Sequence, residues 1–242
     1  MANPIEIRNT LSQSTFPEDP PAALKPGHAH GRFLGFNQEY VRASLTLALL
    51  RRLPLDAFVE TGTERGDTAL LVAAQTGLRI LTCDASLEAS RRARRRLRRF
   101  SDRVRVYHGD SRDFLRDLDG KGGPLRPFFY LDAHNADDVP LVHELDIILA
   151  NWPECLVMVD DFQVPGDPGF RFYAWGDEVQ RLDYIAGALR RAPAPVTVFF
   201  PAYASALETG LKAGWVLLAT DRLAEGVRGV AQDLVREQAL PA

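Results

Sequence analysis

From Ala57 to Asp161 five short β-rich runs alternate with four segments of helical character. The β-rich runs cover residues 57–60, 79–83, 104–107, 128–131 and 155–159, and the helical segments cover 68–76, 87–100, a short stretch near 112–118, and 141–149. Strands separated by helices are not joined by hairpins, so this alternation predicts a parallel sheet with helices on both faces. The run Leu156, Val157, Met158, Val159 is apolar without alternation, as suits a central strand buried on both sides.

The flanks are less regular. Upstream, Tyr40, Val41, Leu45, Leu47, Leu49 and Leu50 fit a helix over residues 37–52. Residues 1–32 hold five prolines (Pro4, Pro17, Pro20, Pro21 and Pro26) and read as an irregular arm. The arm is either a loosely held terminus or a lid, since His28, His30, Arg32 and Phe36 place polar and aromatic groups just before the helix. Downstream of Asp161 a Gly/Pro-rich loop at 163–169 leads to an amphipathic helix over 178–191. Strands at 196–200 and 215–219 and a closing helix over 222–240 follow. The expected architecture is α/β, with a mostly parallel seven-stranded sheet flanked by helices. Residues 1–52 form an arm and helix that serve as lid or oligomer contact, and residues 53–242 form the ligand-binding domain.

With 29 Lys and Arg against 32 Asp and Glu, the net charge of −3 argues against a dedicated nucleic-acid binder. The seven arginines between Arg91 and Arg99 invite a phosphate reading, but Ala89, Ala93, Leu97 and Phe100 lie beneath them at helical spacing. The arginines are therefore expected on the solvated face of an amphipathic helix. Cys83 and Cys155 are too few for a disulfide framework, and no charged segment followed by an apolar one opens the chain. No apolar run approaches the ~20 residues of a membrane span. The expectation is a cytoplasmic protein without a membrane or nucleic-acid partner, with a homo-oligomer left open.

Chemistry concentrates at the ends of the β-rich runs. Phe58-Val59-Glu60-Thr61-Gly62-Thr63-Glu64-Arg65-Gly66-Asp67-Thr68 runs a strand into a turn with glycines four apart and then into a helix. Gly62 permits a sharp turn, and Gly66 would let a helix N-terminus approach a ligand. The spacing differs from the G-x-G-x-x-G of dinucleotide sites, and Glu60 would repel a pyrophosphate while suiting an ammonium group. Asp84 follows the second run, where a carboxylate can accept both hydroxyls of a ribose or act as a helix cap. Asp110 and Ser111 follow the third run and are placed to read an adenine, although Ser111 equally suits a helix N-cap. Asp132 ends the fourth run, and Asp160 and Asp161 end the fifth. Carboxylates converging on one sheet edge repel one another unless a hard cation such as Mg²⁺ or Ca²⁺ joins them; the bland alternative is a cap and a solvated acidic loop.

Together these elements resemble the class I S-adenosylmethionine-dependent methyltransferases. The E-x-G-x-x-x-G form, with Thr68 two residues later, looks most like the catechol, caffeoyl-CoA and macrocin O-methyltransferase group. The likeness covers about Ala57 to Asp161 and implies a Rossmann-like fold for the S-adenosylmethionine-binding domain. It also implies that Glu60, Thr61, Gly62, Thr63, Gly66 and Thr68 contact the methionine end of the cofactor. Asp84 with Ala85 would hold the ribose, Asp110 and Ser111 the adenine, and Asp132 would complete the site. Asp132, Asp160 and Asp161 would bind a divalent metal such as Mg²⁺, which orients acceptor hydroxyls and stabilises the developing oxyanion. His134 is the candidate base, since a free histidine titrates near neutrality, unless it only caps its loop. The catechol enzymes' lysine would fall at Asn135, which cannot act as a base, so a sugar or other natural-product hydroxyl is at least as good an acceptor. Residues 163–175, with Phe170, Arg171, Phe172, Tyr173 and Trp175, and the segment Phe200 to Tyr203 would wall the acceptor pocket. The implied activity is methyl transfer to a small-molecule hydroxyl. The alternatives are a metal-independent N- or O-methyltransferase and a non-catalytic S-adenosylmethionine-binding protein.

Overall fold

The structure is a computed structural model that describes residues 35–119, 126–134 and 138–240, so the arm at 1–32 and Asn135 lie outside the described residues. Helix α1 (Tyr40–Arg52) leads into β1 (Ala57–Thr61), α2 (Asp67–Gln75), β2 (Arg79–Asp84), α3 (Leu87–Leu97) and β3 (Val104–His108). Next come α4 (Ser111–Asp119), β4 (Pro127–Leu131), α5 (Leu141–Asn151) and β5 (Leu156–Val159). The last part holds β6 (Ala174–Trp175), β7 (Glu178–Val179), α6 (Leu182–Arg191), β8 (Val196–Pro201), β9 (Val216–Thr220), α7 (Asp221–Ala231) and β10 (Val235–Gln238).

The main sheet runs β10-β8-β9-β5-β4-β1-β2-β3. The pairs β1–β2, β2–β3, β1–β4 and β4–β5 are parallel, while β9 runs antiparallel to β5 and β8, and β10 antiparallel to β8. Because β1 and β4 are neighbours although β2 and β3 intervene in sequence, the strand order reverses at β1, and a crevice opens beyond the carboxyl ends there. Every residue of β1, β4, β5 and β9 is buried, as expected for strands covered on both faces.

Among the described residues the sheet has eight strands where the sequence predicts seven. The expected closing helix stops at Ala231, Leu234 N–H bonds back to the Ala231 carbonyl, and Val235 to Gln238 pair with β8 as an edge strand. Leu234 and Val235 are buried by that pairing. The polar Arg236, Glu237 and Gln238 carry no strand pattern of their own, so the open edge of β8 decides their conformation. The helix expected from residue 178 starts at Leu182, because Glu178 and Val179 pair with Ala174 and Trp175 in a small hairpin. Helix α3 is amphipathic as read: Ala93 and Leu97 are buried with Ser90, while Ala89 and Phe100 of the expected inner face are half-buried; Arg92 pairs with Glu88, and Arg96 pairs with Asp67 at 2.5 Å. Among the described residues no helix is long and apolar enough to cross a membrane.

Helix α1 belongs to the core rather than to a surface, with each residue from Val41 to Leu50 buried. Glu39, at the N-cap position, makes no side-chain cap bond. Instead Glu208, distant in sequence, accepts from the backbone N–H groups of Val41 and Arg42, at 3.0 Å each, and from the Tyr203 hydroxyl at 2.5 Å. Trp215 Nε1–H donates in turn to the Tyr203 oxygen at 3.1 Å. A carboxylate at a helix N-terminus satisfies orphan donors and complements the helix dipole. Glu208→Ala leaves three buried donors without an acceptor, so urea unfolding is expected to show a loss of at least about 2 kcal/mol. A change below about 0.5 kcal/mol would show that the cap contributes nothing.

Candidate functional site

The carboxyl ends of the parallel strands surround a cleft of about 600 Å³. Its floor is set by the turn after β1. Gly62 has φ +83°, and a Cβ there would lie 2.4 Å from the Asp132 carbonyl oxygen, so only glycine lets the β1 turn cross this close to the end of β4. Gly62 N–H bonds to the Cys83 carbonyl at 2.9 Å and Asp132 N–H to the Thr61 carbonyl at 3.0 Å, which locks the ends of β1, β2 and β4 together. Gly66, at φ +74°, has a different task. A Cβ there would meet Leu97 Cδ1 at 3.2 Å and Ala93 Cβ at 3.3 Å, so this glycine lets α2 pack against α3.

At one end of the cleft Asp84 is held by the backbone N–H groups of Glu64, at 2.8 Å, and Ser86, at 2.7 Å. The cap of α3 is Ser86, whose hydroxyl accepts from Ala89 N–H at 3.3 Å, so Asp84 is left as a fixed carboxylate facing the cleft beside Ala85. Asp110 and Ser111 line the adjoining wall. The Arg112 guanidinium hydrogen-bonds Asp110, holding its carboxyl below the ordinary range, and also reaches Asp138 at 2.7 Å. Behind Ser111 lies a residue that sequence reasoning missed: Glu144 of α5, buried next to Ser111 and Thr61, with burial pushing its carboxyl up to about 7. Its place on a predicted helix carried no signal beyond an acid among apolar neighbours.

At the other end Asp132, His134 and Asp161 come together, with one ligand atom of each within 4.8 Å of the others. His134 Nε2 is 3.2 Å from Asp161 Oδ2 and 3.8 Å from Asp132 Oδ1. The Tyr173 ring packs on the imidazole with centroids 4.0 Å apart, and Trp175 stacks on Tyr173 at 5.5 Å. Withdrawal from water, then the nearby Asp160 and Asp161 carboxylates, pushes Asp132 above the ordinary carboxylate range. Such a floor favours a cation.

Asp160 is not part of that group. It is fully buried, forms an ion pair with Arg42, accepts from the Tyr130 hydroxyl, and accepts from Asn37 Nδ2 at 2.9 Å. Arg42, Asn37 and Tyr130 were not foreseen as parts of the site. A helix pattern marks Arg42 as one polar residue on an apolar segment, and nothing local tells which acid it meets.

Of the residues expected at the methionine end, Gly62 lines the cleft and the others do not. Glu60 is buried behind β1, accepting from the Thr82 hydroxyl at 2.5 Å, and Thr63 meets the same hydroxyl. Thr61 is buried, and Thr68 Oγ1 accepts from Phe36 N–H at 3.0 Å. Arg171, Phe172 and Tyr173 of the aromatic loop face the cleft, whereas Phe170 is core. Phe200 and Tyr203 are also core, and Leu211 and Ala213 form the opposite wall in their stead.

Burial pushes Glu60 up to about 8, so it is a neutral acid at pH 7. The unfolded chain releases this proton near pH 4.5 and the folded chain near 8, so Glu60 lowers stability as pH rises through that window. Glu60→Gln removes the effect, and its stability relative to the wild type is expected to be more favourable at pH 8 than at pH 5 in urea titrations. Equal differences at the two pH values would refute the neutral acid.

No protein-family model matches the sequence, and no curated protein matches it. Solved structures do match. A protein from Klebsiella pneumoniae assigned as an O-methyltransferase superposes with a TM-score of 0.54 at 20% identity, covering 89% of this chain and 96% of that one. The O-methyltransferase TomG of Streptomyces achromogenes, involved in tomaymycin synthesis and solved with S-adenosylmethionine, gives 0.52 at 20% identity over 90% and 96%. An O-methyltransferase of Bacillus cereus, solved with S-adenosylhomocysteine, gives 0.52 at 15% identity over 90% of each chain. With the strand order reversing at β1 and antiparallel β9 inserted beside β5, the chain has the Rossmann-like fold of the class I methyltransferases.

Proposed function

We propose that this protein transfers the methyl group of S-adenosylmethionine to a hydroxyl of a small molecule. The observation that carries the reading is one continuous cleft with a fixed carboxylate at Asp84, an Asp110–Ser111 wall beside it, and the Asp132–His134–Asp161 group at the far end. Asp84 suits a ribose, since both its oxygens are held by backbone amides and each keeps a free lone pair for a hydroxyl. Asp110 and Ser111 suit an adenine, and the acid-rich floor suits the positive sulfonium.

Methyl transfer from a sulfonium needs alignment and removal of the acceptor proton. His134 is the base in this reading. Asp161 accepts a proton-bearing Nε2 at 3.2 Å in the resting site and steadies the imidazolium formed after the transfer. Tyr173 limits the ring's swing. Asp132, His134 and Asp161 also fit a divalent cation, since a carboxylate–imidazole–carboxylate set within 4.8 Å matches the spacing of ligands around one ion. When bound, such a cation would supply Lewis-acid stabilisation of the acceptor oxyanion. The two uses of His134 compete, because a metal-bound nitrogen cannot take a proton. Arg171, Phe172, Tyr173 and Leu211 give the acceptor wall aromatic, apolar and cationic character.

Calorimetry is expected to show binding of S-adenosylhomocysteine and none of NAD, with Asp84→Ala weakening the former about tenfold or more. Binding of NAD alone would refute the cofactor assignment. With an acceptor from a hydroxyl panel, His134→Ala is expected to lower kcat at least about 10²-fold while leaving cofactor affinity unchanged. Activity that survives chelator treatment assigns His134 to proton removal, and activity abolished by chelator and restored by Mg²⁺ or Mn²⁺ assigns it to the metal.

A further inference from the structure

We propose that Arg42 is the resident cation of the β5 tip and that Asp160, neutralised by it, is not a metal ligand. An ionised carboxylate offers about four lone-pair sites on its two oxygens. At Asp160 all four are taken. Oδ1 accepts from Arg42 Nη1 and from the Asp161 backbone N–H at 2.8 Å; Oδ2 accepts from the Tyr130 hydroxyl and from Asn37 Nδ2 at 2.9 Å. Both charged side chains have no solvent exposure, so a second cation at Asp160 would face a guanidinium with no water between them.

The pair reaches the cleft through its neighbours. The bond to Asp161 N–H fixes a residue whose backbone is left-handed, at φ +50°, and whose carboxylate faces His134. The bond from Asn37 Nδ2 orients that carboxamide, because a carboxylate only accepts; the amide oxygen is thereby turned away from Asp160 in a residue that lines the cleft. Arg42 is itself fixed at its other terminal nitrogen, Nη2, which donates to the Phe36 carbonyl at 2.6 Å.

This inference depends on the methyl-transfer reading only for the meaning of the site, and its test uses neither cofactor nor acceptor. Mn²⁺ alone is titrated into the full chain, and free Mn²⁺ is followed by electron paramagnetic resonance. Asp160→Asn is expected to leave the wild-type affinity within about twofold, while Asp132→Asn and Asp161→Asn reduce any binding by about tenfold or more. Arg42→Gln, which uncovers the Asp160 charge, is expected to raise Mn²⁺ affinity by about tenfold or more. Either single change at the pair can prevent folding, so the neutral double variant Arg42→Gln with Asp160→Asn provides the second arm and is expected to bind Mn²⁺ as the wild type does. A tenfold loss in Asp160→Asn or in the folded double variant overturns the proposal, as does a folded Arg42→Gln that gains nothing. Failure of S-adenosylhomocysteine to bind would refute the cofactor reading and leave this result unaffected.

Discussion

The buried ion pair between Arg42 and Asp160 joins the N-terminal helix to the tip of β5, and Asp160 in turn bonds two residues that line the cleft, Asn37 and Asp161. Removing one partner of such a pair costs about 3–5 kcal/mol, because the other is left charged and dry. Here the pair also organises a turn of unusual backbone: Phe36, Asn37 and Gln38 have φ of +46°, +55° and +63°, a conformation that L-residues adopt only under constraint. The constraints are visible. Phe36 N–H donates to Thr68 Oγ1, its carbonyl accepts from Arg42, Asn37 donates to Asp160, and the Phe36 ring stands edge-on to Tyr130 at 5.0 Å. On the far side the Asn37 carbonyl lies where a Cβ of residue 210 would be, at 2.0 Å, which is why that position is glycine.

The acids of the molecule divide into two kinds by their surroundings. Glu60 and Glu144 sit behind the cleft, and burial pushes them to about 8 and about 7. As neutral or half-neutral groups they add little charge to the floor. Asp84 and Asp110 stay in contact with the cleft and are held by backbone amides or by Arg112. Asp132 and Asp161 are the ones left facing His134. Asp132 is likewise pushed above the ordinary range by burial and by its acidic neighbours, so a cation meeting it and Asp161 at His134 would restore its charge.

Much of the fold was legible because strand-helix alternation is a local pattern. The five parallel strands and their helices, the later strands β8 and β9, and the amphipathic α3 all follow from spacing of apolar residues within each segment, whereas the antiparallel direction of β9 against β5 and β8 does not. The parts that were not legible are those decided by distant partners. Val235 to Gln238, read from the sequence as the end of a helix over 222–240, became a strand because β8 offered an edge. Glu208 became a helix cap although it lies 166 residues beyond Arg42.

The candidate site divides along the same line. The sequence by itself determined which strand ends carry acids, that Gly62 must turn sharply, and that Asp84, Asp110, Ser111, Asp132, His134 and Asp161 would share one edge, because a parallel sheet brings its carboxyl ends together. Only the tertiary structure decided which way each side chain faces and what it meets. Just past the end of β5, Asp160 turned into the core, while Asp161, in a left-handed backbone, entered the cleft. Its cation, Arg42, came from a helix whose own pattern specifies a buried face and no partner, since ion pairing across 118 residues is set by packing and leaves no local mark in the chain.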